Sequence, residues 1–224
     1  YYSIFSELRE IILKREVPLT VYVCSNKVES KDIFWWDYIK MLISKDNLGY
    51  KYSNNLYELL KEKMNSLSYK KRNLLLLKLS KKFNLRNELK IPKEYRLMSW
   101  KEVVFFSDLG VNFGSHTHNH INFTVEQDST IKKEILKSKT MISEKIGKEV
   151  VDFAYPNGEF TSSSERLLNQ CGFKTSVVVD YCHLDNSFNP YKVSRMPIAA
   201  VDDKYRFFIK LYGFWPSFIY KKLS

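Results

Sequence analysis

Val111-Asn112-Phe113-Gly114-Ser115-His116-Thr117-His118-Asn119-His120 is the stretch on which the reading of this chain turns. A short strand-like run leads directly into three of the four histidines in the protein. His116 and His120 have the spacing H-x-x-x-H. In a helical turn this spacing puts two imidazoles on one face; in a tight loop it also brings both rings to one point. Neutral imidazole is the commonest protein ligand for zinc and its neighbours. The simpler alternative is a polar surface loop that happens to be rich in histidine. The scarcity of histidine elsewhere, and the run that delivers the cluster, favour a metal site.

Working outward, the flanking segments alternate between strand and helix patterns. Residues 3–15 carry Ile4, Phe5, Leu8, Ile11 and Ile12 at helical spacing, and Leu19 to Cys24 reads as a buried strand. Ser99-Trp100-Lys101-Glu102 is a capping-box pattern that opens a helix stopping at Gly110. A strand over 111–115 then delivers the histidines. A long helix over 126–146 ends near Gly147, and Val150 to Ala154 is the next strand. It runs into Tyr155-Pro156-Asn157-Gly158, a turn by composition. Ser162-x-x-Glu165 reads as a second capping box for a helix ending at Gly172. Lys174 to Val179 is a strand, Val193 to Ile198 is read as another, and 203–212 as a last helix. Apolar, unpatterned strands that alternate with helices predict a parallel sheet or barrel. In such folds ligands gather at the C-terminal ends of the strands. Both the His cluster and the Tyr-Pro-Asn-Gly turn follow strands and fall on that face.

Residues 27–98 differ in character. Helical patterns rich in Lys and Leu dominate at 35–43 and 55–83, with Gly49-Tyr50-Lys51-Tyr52 as one possible short strand. This segment reads as a helical insertion in a single domain spanning 1–224.

At 224 residues the chain is long enough to bury a core, and no apolar run reaches the length of a membrane span. Cys24, Cys171 and Cys182 form no C-x-x-C pair and are expected to be reduced, buried thiols. The net charge is +11. Residues 26–98 hold 17 Lys/Arg against 8 Asp/Glu, and the tail from Lys204 holds five bases and no acid. Such basicity suits a polyanion, nucleic acid or anionic lipid. No nucleic-acid-binding motif accompanies it, so a solvated Lys-rich surface is the preferred reading. The chain starts at Tyr1 without methionine or a signal segment and reads as the interior of a longer protein. With no disulfides expected, a cytoplasmic location, or one peripheral to the cytoplasmic membrane, is favoured.

Four motifs make the sequence resemble the polysaccharide deacetylases, metal-dependent carbohydrate esterases related to chitooligosaccharide deacetylases. Gly114 to His120 is similar to their metal motif, Gly-Ser-His-Thr-x-x-His. Phe153-Ala154-Tyr155-Pro156-Asn157-Gly158 is similar to their strand-end motif. Met98-Ser99-Trp100 with the helix to Gly110 matches the usual approach to the metal motif. Phe34-Trp35-Trp36-Asp37 resembles the start of a helical insertion in one bacterial subgroup.

The resemblance implies a distorted (β/α) barrel with fewer than eight repeats. It also implies hydrolysis of an acetyl group, usually N-acetyl, from a sugar of a glycan. One Asp and two histidines, here His116 and His120, would hold one divalent metal, zinc first. His118 would be an intervening residue that packs or supports. Tyr155 and Asn157 fall on the oxyanion and substrate side, with the Asn157 N–H facing the oxyanion. Arg195 matches an Arg expected to orient a carboxylate near the site.

Three departures stand out. The Thr-Phe-Asp-Asp-Gly motif that supplies the base and the Asp ligand would end just before Tyr1, so the chain is expected to be a fragment or inactive. Ala154 occupies the place of an Arg found in many members. The late Leu-x-His motif is not visible, which leaves His183 as a candidate acid or as a surface histidine. Two other readings remain: a non-catalytic glycan-binding relative, and a basic nucleic-acid-binding module. In the tail, bases sit among aromatics such as Phe207, Phe208 and Trp215. The preferred reading has Phe207, Phe208 and Leu211 packing the last helix. The alternative lays the tail on an anionic membrane surface.

Overall fold

The computed structural model describes residues 9, 10, 14, 18–30, 32–45, 50–82, 91–179, 188–199 and 201–212. Residues 9, 10 and 14 are helical. The rest of the helix expected over 3–15, together with Gly49, Cys182, His183 and residues 213–224, lies outside the described residues.

Four parallel strands form the sheet: β1 (Thr20–Val23), β2 (Asn112–Ser115), β3 (Asp152–Ala154) and β4 (Thr175–Val177), in the spatial order β1-β2-β3-β4. Each strand lies beside its neighbour in sequence, so the sheet winds in one direction, as barrels do and doubly wound sheets do not. Thr20 pairs with Asn112 and Val23 with Ser115, and Ser115 in turn pairs with Phe153. This register brings the ends of β1, β2 and β3 to one edge.

The helices are α1 (Trp35–Lys45), α2 (Tyr50–Asn65), α3 (Tyr69–Lys82), α4 (Trp100–Asp108), α5 (Asp128–Ile146), α6 (Ser164–Gln170) and α7 (Lys204–Leu211). The Ser99 cap of α4 is a full capping box: Glu102 N donates to Ser99 Oγ at 3.3 Å and Ser99 N donates to Glu102 Oε2 at 2.8 Å. Two apolar clusters result. The larger packs Val103, Phe113, Ile131, Phe153, Leu168 and their neighbours around the sheet. The smaller joins Trp35, Ile39 and Ile43 of α1 to Met64 of α2.

Several expectations need correction. Tyr50 to Tyr52 opens α2 rather than a strand. The helical patterns read over 55–83 fall, as far as residue 82, in two helices, α2 and α3, separated by Ser66-Leu67-Ser68. The strand read over 193–198 reduces to one bridge, Val193 with Val177. The second capping box does not form: Ser163 occupies the N-cap position of α6 without a side-chain cap bond, and Glu165 binds Lys192 Nζ at 2.6 Å and Asn189 Nδ2 at 3.1 Å. In α7, Phe207 and Phe208 are each 40 % exposed and Leu211 is 58 % exposed, while Lys210 is buried and paired with Asp202 at 2.6 Å. The aromatics of this helix therefore do not pack a core as expected.

Gly114 lets β2 approach its neighbours. A Cβ there would meet the Tyr22 ring at 2.5 Å and the Asp152 carbonyl oxygen at 2.9 Å. Gly114→Ala is expected to destabilise the fold by about 1–3 kcal/mol through overpacking, since the Asp152 contact is backbone and cannot swing away. A urea midpoint equal to that of the parent protein would contradict this close approach.

Candidate metal and catalytic site

The His loop begins where β2 ends, and backbone pairing with the end of β1 fixes its course. His116 N donates to Val23 O at 3.0 Å, Ser25 N to Thr117 O at 3.3 Å and Asn26 N to His118 O at 3.0 Å. Glu134 of α5 takes two bonds from Asn119, one from N at 2.7 Å and one from Nδ2 at 2.6 Å. Thr117 (φ 64°) and His120 (φ 54°) are both left-handed. For non-glycine residues that conformation costs free energy and persists where surrounding contacts over-determine it.

This bent course lets an H-x-x-x-H pair meet outside a helix. The His116 and His120 ring centroids are 4.8 Å apart and the planes cross at 81°. His116 Nδ1 lies 2.6 Å from the Ala154 carbonyl at the end of β3. A carbonyl only accepts, so Nδ1 carries the proton and Nε2 keeps its lone pair, the usual arrangement of a metal-binding histidine. His120 is 7 % exposed, and its Nδ1 is buried without a partner among the described residues. Burial pushes the His116 pKa down to about 4, helped by the Arg195 charge and opposed by the Ala154 bond. Burial, His116 and Arg72 hold that of His120 well below its ordinary value. Both rings are thus neutral at neutral pH. Among the described residues no third His, Cys, Asp or Glu completes a cluster with them.

His118 does not point with the pair. It shares a 2.7 Å hydrogen bond with Ser25 Oγ and is buried, so it ties the loop to the segment after β1. Asn157 occupies the exposed tip of the turn after β3, at φ 59°. The Tyr155 side chain lies in the core beside Phe123, Phe153 and Phe160. Its hydroxyl donates to Tyr191 O at 3.3 Å, and burial raises its pKa to about 12. Arg195 donates from Nε to Val178 O at 3.2 Å and lies over the Tyr22 ring. Among the described residues it pairs with no carboxylate. The structure therefore gathers His116, His120, the end of β3 and the Arg195 charge at one edge of the sheet.

That edge belongs to a known family. The sequence profile of polysaccharide deacetylases matches residues 3–176. The chain belongs to the polysaccharide deacetylase family. It is 30 % identical over 121 residues to the peptidoglycan deacetylase of Helicobacter pylori, a match covering 53 % of this chain and 39 % of that protein. Among solved structures, IcaB from Ammonifex degensii superposes with a TM-score of 0.55 at 13 % identity, over 88 % of this chain and 64 % of that one. The BpsB deacetylase domain from Bordetella bronchiseptica gives 0.52 at 12 % identity, over 88 % of this chain and 67 % of that one. The chain thus spans about two-fifths of the curated relative it matches and shares the distorted (β/α) barrel class of the two structures.

Sequence reasoning did not find the support of His120 by the helical segment. Arg72 of α3, only 2 % exposed, donates from Nη2 to the His120 carbonyl at 2.9 Å. The Trp36 ring lies 4.8 Å from the His120 ring, and Phe34 stacks on Trp36 at 4.4 Å. In sequence Arg72 is one base in a Lys-rich run, and only its burial separates it from its neighbours. Arg72→Met is expected to release the strained His120 backbone and weaken zinc binding by about 10–100-fold, as losses of supporting groups around metal ligands do. Chelator competition on the folded variant measures this; an unchanged zinc affinity would remove Arg72 from the site's support.

Proposed function

We propose that this domain hydrolyses an acetyl group, as the N-acetyl of a sugar in a polysaccharide or glycan precursor, with a divalent metal held by His116 and His120. The observation that carries the reading is the convergence of two neutral imidazoles, His120 buried and His116 half-buried, at the C-terminal edge of a parallel sheet in a chain of this family. Zinc is the first choice for an imidazole pair joined by a carboxylate. Bound there, it supplies Lewis acidity and makes a nucleophilic water available at neutral pH. The water oxygen adds to the acetyl carbon, the C–N bond breaks, the sugar nitrogen gains a proton, and acetate leaves. His116 is held to one tautomer by Ala154. The left-handed turn at Asn157 offers its N–H to the developing oxyanion, and Arg195 is available to a carboxylate at the same edge. The family resemblance implies an Asp-Asp pair, outside residues 1–224, as base and third ligand; His183 is a candidate acid, with a surface histidine the alternative.

Acetate release from N-acetylated chitooligosaccharide, by a chain extended upstream through that pair, tests the proposal. Glycan binding without release would instead support a non-catalytic relative. The exposed face of α7 extends the reading to location. Tyr205, Phe207, Phe208 and Leu211 beside Lys204 and Arg206 suit an anionic membrane surface. Co-sedimentation with phosphatidylglycerol vesicles at low salt is expected, and is expected to be lost in Phe207→Ser/Phe208→Ser. Binding unaffected by that double change would contradict this location.

A further inference from the structure

A cleft of about 600 Å³ opens between the His loop and the helical segment, lined by Lys27, Phe34, Tyr38, Tyr69, Arg72 and His120 among others. Its charge is unbalanced in an unusual way. The Arg72 guanidinium is buried, yet a guanidinium has five N–H donors, and among the described residues only the bond to the His120 carbonyl is made. No carboxylate of the described residues lies within ion-pair distance of it. The Trp35 and Tyr69 rings flank it at 5.6 Å and 5.8 Å. Cation–π contact alone is a small return for a buried charge.

The second cation, Lys27, is half-buried; it donates to the Ile33 carbonyl at 3.4 Å and lies 6.0 Å from the Phe34 ring, with no carboxylate of the described residues within ion-pair distance. Asp32 is the one acid lining the cleft among the described residues, and its side chain is exposed. The indole Nε1 of Trp35, a residue 8 % exposed, is a further buried donor with no acceptor among the described residues. The unmet Trp35 donor and two cations thus border one space, and His120 forms part of its wall. Neutral sugar hydroxyls would leave the charge unmatched, whereas an oxyanion accepts from a guanidinium fork and an ammonium together.

We propose that this cleft is a subsite for an anionic group, a carboxylate or phosphate carried by the glycan next to the acetylated sugar. The substrate class is then an acidic glycan, with Lys27 and Arg72 holding its charge and the neighbouring sugar facing His116 and His120. This rests on the deacetylase reading for its biological meaning, but the binding stands on the cleft alone.

Calorimetric titration of the full chain tests it, with chelator present so that no anion can ligate a metal. The probes are N-acetylglucosamine, N-acetylglucosamine 1-phosphate and a glucuronic acid–N-acetylglucosamine disaccharide. At least one anionic sugar is expected to bind about tenfold or more tighter than the neutral one; which one does so separates phosphate from carboxylate. The preference is expected to shrink in high salt and to disappear in Lys27→Gln, while Lys101→Gln, outside the cleft, retains it. The salt series on the unaltered chain keeps the test decisive if Lys27→Gln does not fold. Equal affinity for neutral and anionic sugars, or a preference untouched by salt, would overturn the subsite. Failure of the deacetylase reading looks different: no acetate from any acetylated glycan with zinc restored, whatever the order of affinities.

Discussion

His116→Ala and His120→Ala are each expected to weaken zinc binding by more than about 100-fold, because losing a mere supporting partner of a ligand already costs about 10–100-fold. The expectation follows from the loop. His116 presents Nε2 because Ala154 occupies Nδ1, at 2.6 Å, and His120, its ring 4.8 Å from that of His116, has a buried Nδ1 with no partner among the described residues. His118→Ala is the internal control. It removes the 2.7 Å bond to Ser25 and costs stability, about 1–3 kcal/mol for the group left unpaired, while changing zinc affinity far less. Metal analysis after dialysis, together with chelator competition, separates the three variants. Equal loss in all three would point to a three-histidine centre, which the orientation of His118 contradicts.

The second large effect concerns the base. The 224-residue chain is expected to release acetate about 10²–10⁴-fold more slowly than a chain extended upstream through an Asp-Asp pair, the usual worth of a positioned general base. In the proposed site the two histidines serve as neutral ligands, and the Tyr155 hydroxyl is committed to the Tyr191 carbonyl with its pKa raised to about 12. Neither is placed to take a proton from water. The comparison is made on N-acetylated chitooligosaccharide with zinc added to both chains. Comparable rates would place the base within residues 1–224.

The sheet and the His loop were legible in the sequence because their signals are local. β1, β3 and β4 lie in runs with clustered valines, β2 follows the Gly110 stop, and Ser99, Gly110 and Gly147 mark helix ends by capping and by φ > 0. The meeting of His116 with His120 was legible from spacing. Its physical cause, positive φ at Thr117 and His120, was not.

The misses share one origin: tertiary partners override local preference. Tyr50 and Tyr52 favour strands, but the Leu56, Leu60 and Met64 repeat puts them at the start of a helix that packs on α1. Glu165 has the capping-box position only if Ser162 is the cap; α6 starts after Ser163, and Lys192 and Asn189 hold the Glu165 carboxylate from another segment. Tyr155 follows the motif strand, and its side chain completes the aromatic core. Arg72 could not be singled out, because nothing local distinguishes a lysine-rich helix face in water from one that closes over a metal loop. The sequence marked this segment as a helical insertion without indicating that it supports His120 through Arg72 and Trp36 and walls the cleft beside it.

The most direct test of the account is metal-dependent acetate release. The upstream-extended chain is treated with chelator, dialysed and assayed on an N-acetylated glycan, then reassayed after one equivalent of zinc. The account predicts that chelation abolishes release, that zinc restores it, and that neither His116→Ala nor His120→Ala is restored at that zinc level. Release that persists at full rate after chelation, with both histidines replaced, would contradict the assignment of this loop as the catalytic metal site.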